Sequence, residues 1–216
     1  MEQENIYIFL YDLSDKKLYE SFSDYSDIII KHWKFLKNLK IEKKLIFAGT
    51  SLDNFCEFAI IQADNEEEAK GIIRNDPYVY NHLLKVSLYK FKASLVTEEE
   101  VPEVLEEEFL DIESICDAET KIYMGTITGR STFINDMTEE EGKIMEIHFE
   151  HLKRKFDEKQ LLLAGPILAE GLFGLTVFTA NSLKEAEDFV KNDPVVDAEI
   201  MKPGVHPFRI FLLGEK

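Results

Sequence analysis

HWKFLKNLKIEKKLIFAG at residues 32–49 and HFEHLKRKFDEKQLLLAG at residues 148–165 are one passage written twice. The correspondence extends without a gap from residues 6–50 onto residues 122–166 at a constant offset of 116, and His32 falls on His148. Self-similarity of this length means a module repeated in tandem, and whatever two drifted copies both keep is a controlled comparison within one chain. Among the positions of this passage that face inward and survive in both copies, the histidine is the polar one; its companions are Leu36/Leu152, Leu45/Leu161, Ala48/Ala164 and Gly49/Gly165.

The periodicity around the passage gives each copy the same element order. In the first, Ile6–Tyr11 reads as a strand and Asp24–Lys40 as a helix with Ile28, His32, Phe35, Leu36 and Leu39 on one stripe. Strands Leu45–Ala48 and Phe58–Gln62 follow, with Gly49 opening the turn between them. A helix capped at Asp64 or Asn65 carries Ala69, Ile72 and Ile73 and should stop at Asp76-Pro77, because proline disfavours helical geometry in the residue before it. Leu84–Phe91 closes the copy. The second copy repeats this as strand Ile122–Ile127, a helix from a Thr138 cap through Phe156, strands Leu161–Ala164 and Leu175–Thr179, a Ser182-capped helix, Asp193-Pro194, and strand Phe208–Leu213. Each copy is therefore βαββαβ, an α+β arrangement.

The strands IYIFLY, FAII and IFLL are apolar at successive residues rather than alternating, so both faces of each sheet should be covered. Two helices cover one face, and the sheet of the other copy is the nearest cover for the second, a sheet-on-sheet pseudo-dimer within one chain. The expected domains are residues 1–93, an acidic connector at 94–120 with a short helix carrying Val104, Leu105, Phe109, Leu110 and Ile112, and residues 121–216. The connector's charge run reads as a solvated face.

Composition narrows the function classes. The chain has 216 residues, 45% of them hydrophobic, and a net charge of −17, so its field repels phosphate backbones and anionic membrane surfaces. Neither nucleic acid nor membrane is an expected partner. Cys56 and Cys116 form no CxxC pair and the N-terminus MEQENIYIF is no secretory leader, which points to a reducing cytoplasm. No apolar run approaches the ~20 residues that cross a bilayer.

Four fragments of the second copy carry a further pattern: His148 on the first helix, LLLAGP at 161–166, SLKEAEDFVKNDP at 182–194 and HPF at 206–208. Their order and spacing resemble the YciI-related (YCII) family of the dimeric α+β barrel superfamily, over nearly all of the second copy and, more weakly, residues 6–91 of the first. The resemblance implies two tandem ferredoxin-like modules packed sheet to sheet as an intramolecular dimeric α+β barrel. It also implies a site made of a histidine and an aspartate, which fall on His148 and Asp193 and on His32 and Asp76. Most members have no established reaction, although relatives include an enzyme acting on chlorinated hydroquinones. The first copy departs from the pattern: Thr50 replaces the proline found at Pro166, and Tyr89-Lys90-Phe91 replaces His206-Pro207-Phe208. By that measure the first copy is the degenerate one. The family's usual lysine before the final Pro-Phe is His206 here, so no role of that lysine transfers.

His32 lies four residues from both Ile28 and Leu36, and His148 four from both Ile144 and Leu152, inside the inward stripe of each helix. A single histidine on an apolar face is ordinarily a satisfied core residue. Retention in both copies favours chemistry, since a packing site tolerates leucine or methionine. Asp76 and Asp193 each close a helix, where the macrodipole opposes a carboxylate, so local energetics do not ask for them. The plain alternative is an Asn-Asp-Pro turn with Asn75 or Asn192 in the left-handed position. If each carboxylate reaches its histidine, it orients the ring and raises a pKa that burial alone would lower. Other candidates are weaker. His148 and His151 form an H-x-x-H without further ligands, and His151 aligns with Phe35, so no metal is expected; Ala-Gly-Pro at 164–166 is a turn that would line the pocket mouth; Trp33, Phe149 and Phe173 could wall a cavity.

Three functions fit these residues. One is a small enzyme, needing no cofactor, in which His148 and Asp193, with His32 and Asp76, transfer a proton in lyase- or hydrolase-type chemistry on a small organic molecule. The second is a ligand-binding module without turnover, and the third a structural pseudo-dimer whose pair is only a hydrogen bond. Further association into a homo-oligomer is compatible with all three.

Overall fold

The computed structural model describes residues 5–13, 25–98, 101, 120–169 and 173–214. They form two compact units, the first of residues 5–13, 25–90, 101 and 209–214 and the second of residues 91–98, 120–169 and 173–208. The connector helix expected at Val104–Ile112 and the environment of Cys116 fall outside the described residues.

In the first unit, β1 (Ile6–Asp12), α1 (Ser26–Ile41), β2 (Leu45–Ser51), β3 (Cys56–Gln62), α2 (Glu66–Arg74), α3 (Pro77–Tyr80) and β4 (Val86–Phe91) follow in chain order. Antiparallel pairing gives the strand order β4-β1-β3-β2, with Tyr11 opposite Glu57 and Ile8 opposite Ile60. In the second unit, β5 (Leu95–Val96), β6 (Ile122–Thr128), α4 (Phe133–Asp136), α5 (Glu139–Asp157), β7 (Leu161–Leu168), β8 (Phe173–Thr179), α6 (Leu183–Lys191), α7 (Pro194–Asp197) and β9 (Lys202–Leu213) follow. Here β9 pairs with β6 through residues 202–207, and the order continues β6-β8-β7-β5. The end of β9, residues 209–213, lies beside β2 in the first unit, where Gly214 donates to the Ile46 carbonyl.

Local sequence explains these elements. Thr138 and Glu141 cap α5 reciprocally, each side chain meeting the other's backbone N–H, which satisfies two of the helix's orphan donors. Asn65 and Ser182 cap α2 and α6. Lys43 after α1 and Lys159 after α5 both take the left-handed region, as do His82 and Glu199 further on, so corresponding turns of the two units share an unusual backbone at residues that are not glycine.

The sheet face toward the helices and the face away from them are both buried. In the first unit Tyr7, Phe9, Tyr11, Ala59 and Ile61 pack under Trp33, Leu36, Leu39, Ala69 and Ile73, while Ile8, Phe47, Phe58 and Ile60, on the opposite parity, are also fully buried. Met124, Leu163 and Val177 repeat this in the second unit. The successive apolar residues of the strands are accounted for by that two-sided burial.

Two expectations need correction. Gly49 and Gly165-Pro166 do not end their strands: Gly49 pairs with Phe58, Gly165 with Leu175 and Pro166 with Gly174, so Ala-Gly-Pro is strand rather than turn. A glycine is needed at 165 because the carbonyl of Lys92 crosses where its Cβ would stand, at 2.0 Å, and Lys92 N–H donates to Pro166 O. The Asp-Pro steps do not simply stop a helix either. Each opens a second short one, α3 or α7, with proline at its first position. No helix among the described residues is long and apolar enough to cross a membrane.

Candidate functional site

Asp76 and Asp193 owe their positions to these short helices. Each is the N-cap, extended at ψ 127° and 131°, and its carboxylate accepts from the backbone N–H two residues on, Tyr78 and Val195 respectively. The carboxylate therefore sits at the favourable positive end of a helix, where the sequence had suggested the opposing end, and Asn75 and Asn192 hold right-handed rather than left-handed backbone. A cap oxygen fixed this way points back across the unit toward the inward stripe of the long helix. There it meets the histidine: His32 Nδ1 lies 2.8 Å from Asp76 Oδ1, and His148 Nδ1 lies 2.7 Å and 2.8 Å from the two oxygens of Asp193. All four residues singled out in the sequence are thus brought together in two pairs, one in each unit.

Around these pairs the two units differ. In the first, Nε2 of His32 meets Glu57 Oε1 at 2.7 Å, Tyr11 donates its hydroxyl to Asp76 Oδ2 at 2.6 Å, and Tyr78 lies flat on the imidazole with centroids 3.8 Å apart and planes 9° from parallel. With a carboxylate on each ring nitrogen, both nitrogens donate, which describes an imidazolium. Burial pulls the His32 pKa down, but the Asp76 and Glu57 carboxylates outweigh it and raise the group to about 9. Burial, reinforced by Asp76, pushes the Tyr11 phenol well above its ordinary value, so it stays a donor. His32 is 2% exposed and Asp76 fully buried, and every oxygen of the Asp76 carboxylate is engaged. The arrangement is a closed polar network inside an apolar core.

In the second unit the same places hold smaller or apolar residues. Strand register puts Ile127 opposite Gly174 where Tyr11 stands opposite Glu57, and Val195 follows Asp193-Pro194 where Tyr78 follows Asp76-Pro77. Gly125 takes the place of Phe9. The space so vacated is a cavity of about 10 Å³ lined by His148 and Asp193 together with Gly125, Gly174, Thr176 and Phe189. That is room for about one water molecule. His148 and Asp193 are slightly exposed, at 8% and 6%, and Gly174, Thr176 and Phe189 are partly exposed at the rim. Among the described residues Nε2 of His148 has no hydrogen-bond partner. With Nδ1 donating to Asp193, Nε2 is left as a lone pair when the ring is neutral, as a general base requires, and as a second donor when it is protonated.

Glu57, Tyr11 and Tyr78 were missed by the sequence reading. The signal for Glu57 was present, since it is a charged residue on the inward parity of the strand CEFAIIQ, whose other inward residues, Ala59 and Ile61, are apolar. His151 does not join the pair. Among the described residues its Nε2 is buried without a partner, Arg154 approaches its Nδ1 at 3.3 Å, and its ring stands edge-on to Phe189. Burial lowers its pKa. His206 lies in β9 opposite Met124. Burial and the neighbouring Glu57 push the Cys56 thiol up to about 12, so it is no ready nucleophile. Among the described residues no group of three or more His, Cys, Asp or Glu side chains is arranged to hold a metal ion.

Residues 9–92 match the YCII-related domain, so the match falls on the copy that departs further from the pattern read in the sequence. No curated protein matches the chain in sequence. Solved structures with the same fold include a candidate monooxygenase from Lactobacillus acidophilus NCFM, 12% identical over 99% of this chain and 97% of that one at a TM-score of 0.56. An anthrone oxidase-like protein is 9% identical over 98% and 93% at 0.52. A variant chlorite dismutase from Candidatus Nitrospira defluvii is 10% identical over 94% and 92% at 0.51. At such identities the likeness is one of fold, the mixed α+β, strand-rich arrangement of the dimeric α+β barrel proteins.

Proposed function

We propose that this chain, whose residues 9–92 form a YCII-related domain, takes a small organic molecule at the cavity beside His148 and Asp193, and that the pair transfers a proton to or from it. One observation carries the reading. Two histidines with the same aspartate partner differ in their second nitrogen: that of His32 is taken by Glu57, whereas that of His148 has no hydrogen-bond partner among the described residues, in a side chain that lines a cavity. Asp193 holds the ring and fixes its tautomer, and Nε2 is the atom that meets the reacting proton. Such a positioned base contributes ~10² to 10⁴ in rate. His32 and Asp76 serve the fold in this reading, since both nitrogens of His32 are already bonded. Binding without turnover is the second reading, favoured by a cavity large enough only for the end of a ligand.

The finer architecture belongs to the same proposal. The two units are taken as copies of one ferredoxin-like module that pair sheet to sheet; the repeated passage and the burial of the sheet face away from each unit's own helices support this. A crystal structure with those faces open to solvent would refute it. A reducing cytoplasmic setting follows from the unpaired spacing of the cysteines, and a Cys56–Cys116 disulfide found by mass spectrometry of the native protein would argue against it.

The test is a fragment screen of mixed charge, read on the His148 ring by NMR of histidine-labelled protein, followed by turnover assays on the hits. Fragments that shift His148 saturably in the native chain, and lose their effect in His148→Ala, support a site. A screen in which none moves His148 ends the reading.

A further inference from the structure

Resting on the second, binding reading of that site, we infer that the group seated against His148 is a carboxylate accepting from Nε2, in the place that Glu57 fills beside His32. The chain contains both the filled and the unfilled form of one site. On the filled side, Glu57 stands opposite Tyr11 across the β1–β3 pairing and puts Oε1 2.7 Å from Nε2 of His32. On the other, Gly174 stands opposite Ile127 across β6–β8, at the corresponding step, and lines the cavity with His148. The side chain that supplied the carboxylate is gone, and the imidazole–aspartate pair that received it remains.

Charge and shape agree with an anion entering from outside. A protonated His148 with ionised Asp193 is a neutral pair, and one added carboxylate gives the net single negative charge already tolerated, more deeply buried, by His32, Asp76 and Glu57. The remaining lining offers little else to recognise. Thr176 donates its hydroxyl to the Gly125 carbonyl at 3.3 Å, and Ile127, Leu152, Phe189 and Val190 are apolar. Nε2 is therefore the principal donor, and a water-sized space of about 10 Å³ takes a single carboxylate oxygen. The rest of the molecule leaves past the partly exposed rim of Gly174, Thr176 and Phe189. The class is a small monocarboxylate, of acetate to benzoate size, with its charge inward.

The experiment titrates the full chain, labelled at histidine, with acetate and benzoate and separately with acetamide and benzamide, at constant ionic strength. His148 is assigned from the spectrum of His148→Gln, or from the perturbation in Gly174→Ala if that variant does not fold. Carboxylates should shift His148 saturably with a dissociation constant at least about tenfold lower than the matched amides, the advantage of a charge-assisted hydrogen bond, while His32 stays unmoved because Glu57 occupies its Nε2. Amides that move His148 as strongly as the acids overturn the carboxylate assignment and leave the pocket standing. Silence of His148 toward both sets overturns the assignment and the pocket together.

Discussion

Glu57 accepts a hydrogen bond from Nε2 of His32 at 2.7 Å, although it stands beside the apolar run Phe58–Ile61 and its own side chain is nearly buried. Removing one partner of a buried charged pair leaves the other uncompensated, at a cost of about 3–5 kcal/mol. Glu57→Ala should accordingly lose on the order of 3 kcal/mol in urea unfolding, and Glu57→Gln clearly less, since an amide oxygen still accepts from the ring. A loss below about 0.5 kcal/mol for the alanine variant would show that the network contributes no net stability.

The same pair makes stability depend on pH. His32 titrates at about 9 in the folded chain against about 6.5 when unfolded. Its contribution is thus complete below pH ~6.5 and lost as pH rises through ~9, because the unfolded chain gives up this proton first. Thermal melts from pH 6.5 to 9.5 should fall progressively in the native protein, and His32→Gln should flatten the slope. A native profile that rises across this interval would contradict the imidazolium assignment.

The two histidines should respond differently to truncation. His32→Ala strands the Asp76 and Glu57 carboxylates in the core, whereas His148→Ala leaves one carboxylate, still used as a helix cap and still touched by solvent. We expect a loss of several kcal/mol for the first and about 1 kcal/mol for the second, measured by urea denaturation. Functional positions are commonly kept at the expense of stability. Equal losses would place His148 among the purely structural residues.

Gly174→Ala probes the cavity itself. A Cβ there meets Ile127 Cγ1 at 2.5 Å, so the isoleucine must shift, and both residues line the cavity beside His148. Overpacking of this kind costs about 1–3 kcal/mol. The variant should fold with a modest loss and should no longer show ligand-induced shifts at His148. Undiminished binding would mean that the ligand sits elsewhere.

The element order and the four residues of the two histidine–aspartate pairs were legible because they rest on periodicity and on retention in two copies, signals that survive drift; that the side chains meet was not, since it depends on where the turn after the second helix aims the carboxylate. Asp76 and Asp193 were legible as residues but not in their role. Asp-Pro reads equally as the end of one helix or as a cap with proline at the first position of the next, and a four-residue helix carries too little periodicity to decide. Gly49 and Gly165 read as turn formers, because the crossing carbonyl that demands glycine at 165 comes from a distant part of the chain. The contrast between the sites was hidden for the same reason. Tyr11, Glu57 and Tyr78 come from three separate elements, and only the strand register shows that Ile127, Gly174 and Val195 are their counterparts. Both copies look alike at the histidine and differ in what surrounds it.

The last strand limits how the gene can be cut. Phe211 stands edge-on to Trp33 at 5.5 Å, and Leu212 belongs to the same core as Leu36 and Leu45. A fragment ending near residue 93 would therefore be missing part of its own interior and would leave the Leu45–Ser51 edge unmatched, a template for aggregation. The first copy in the sequence is thus not the whole of the first compact unit, and residues 1–93 should not be expected as a free-standing protein when expressed alone.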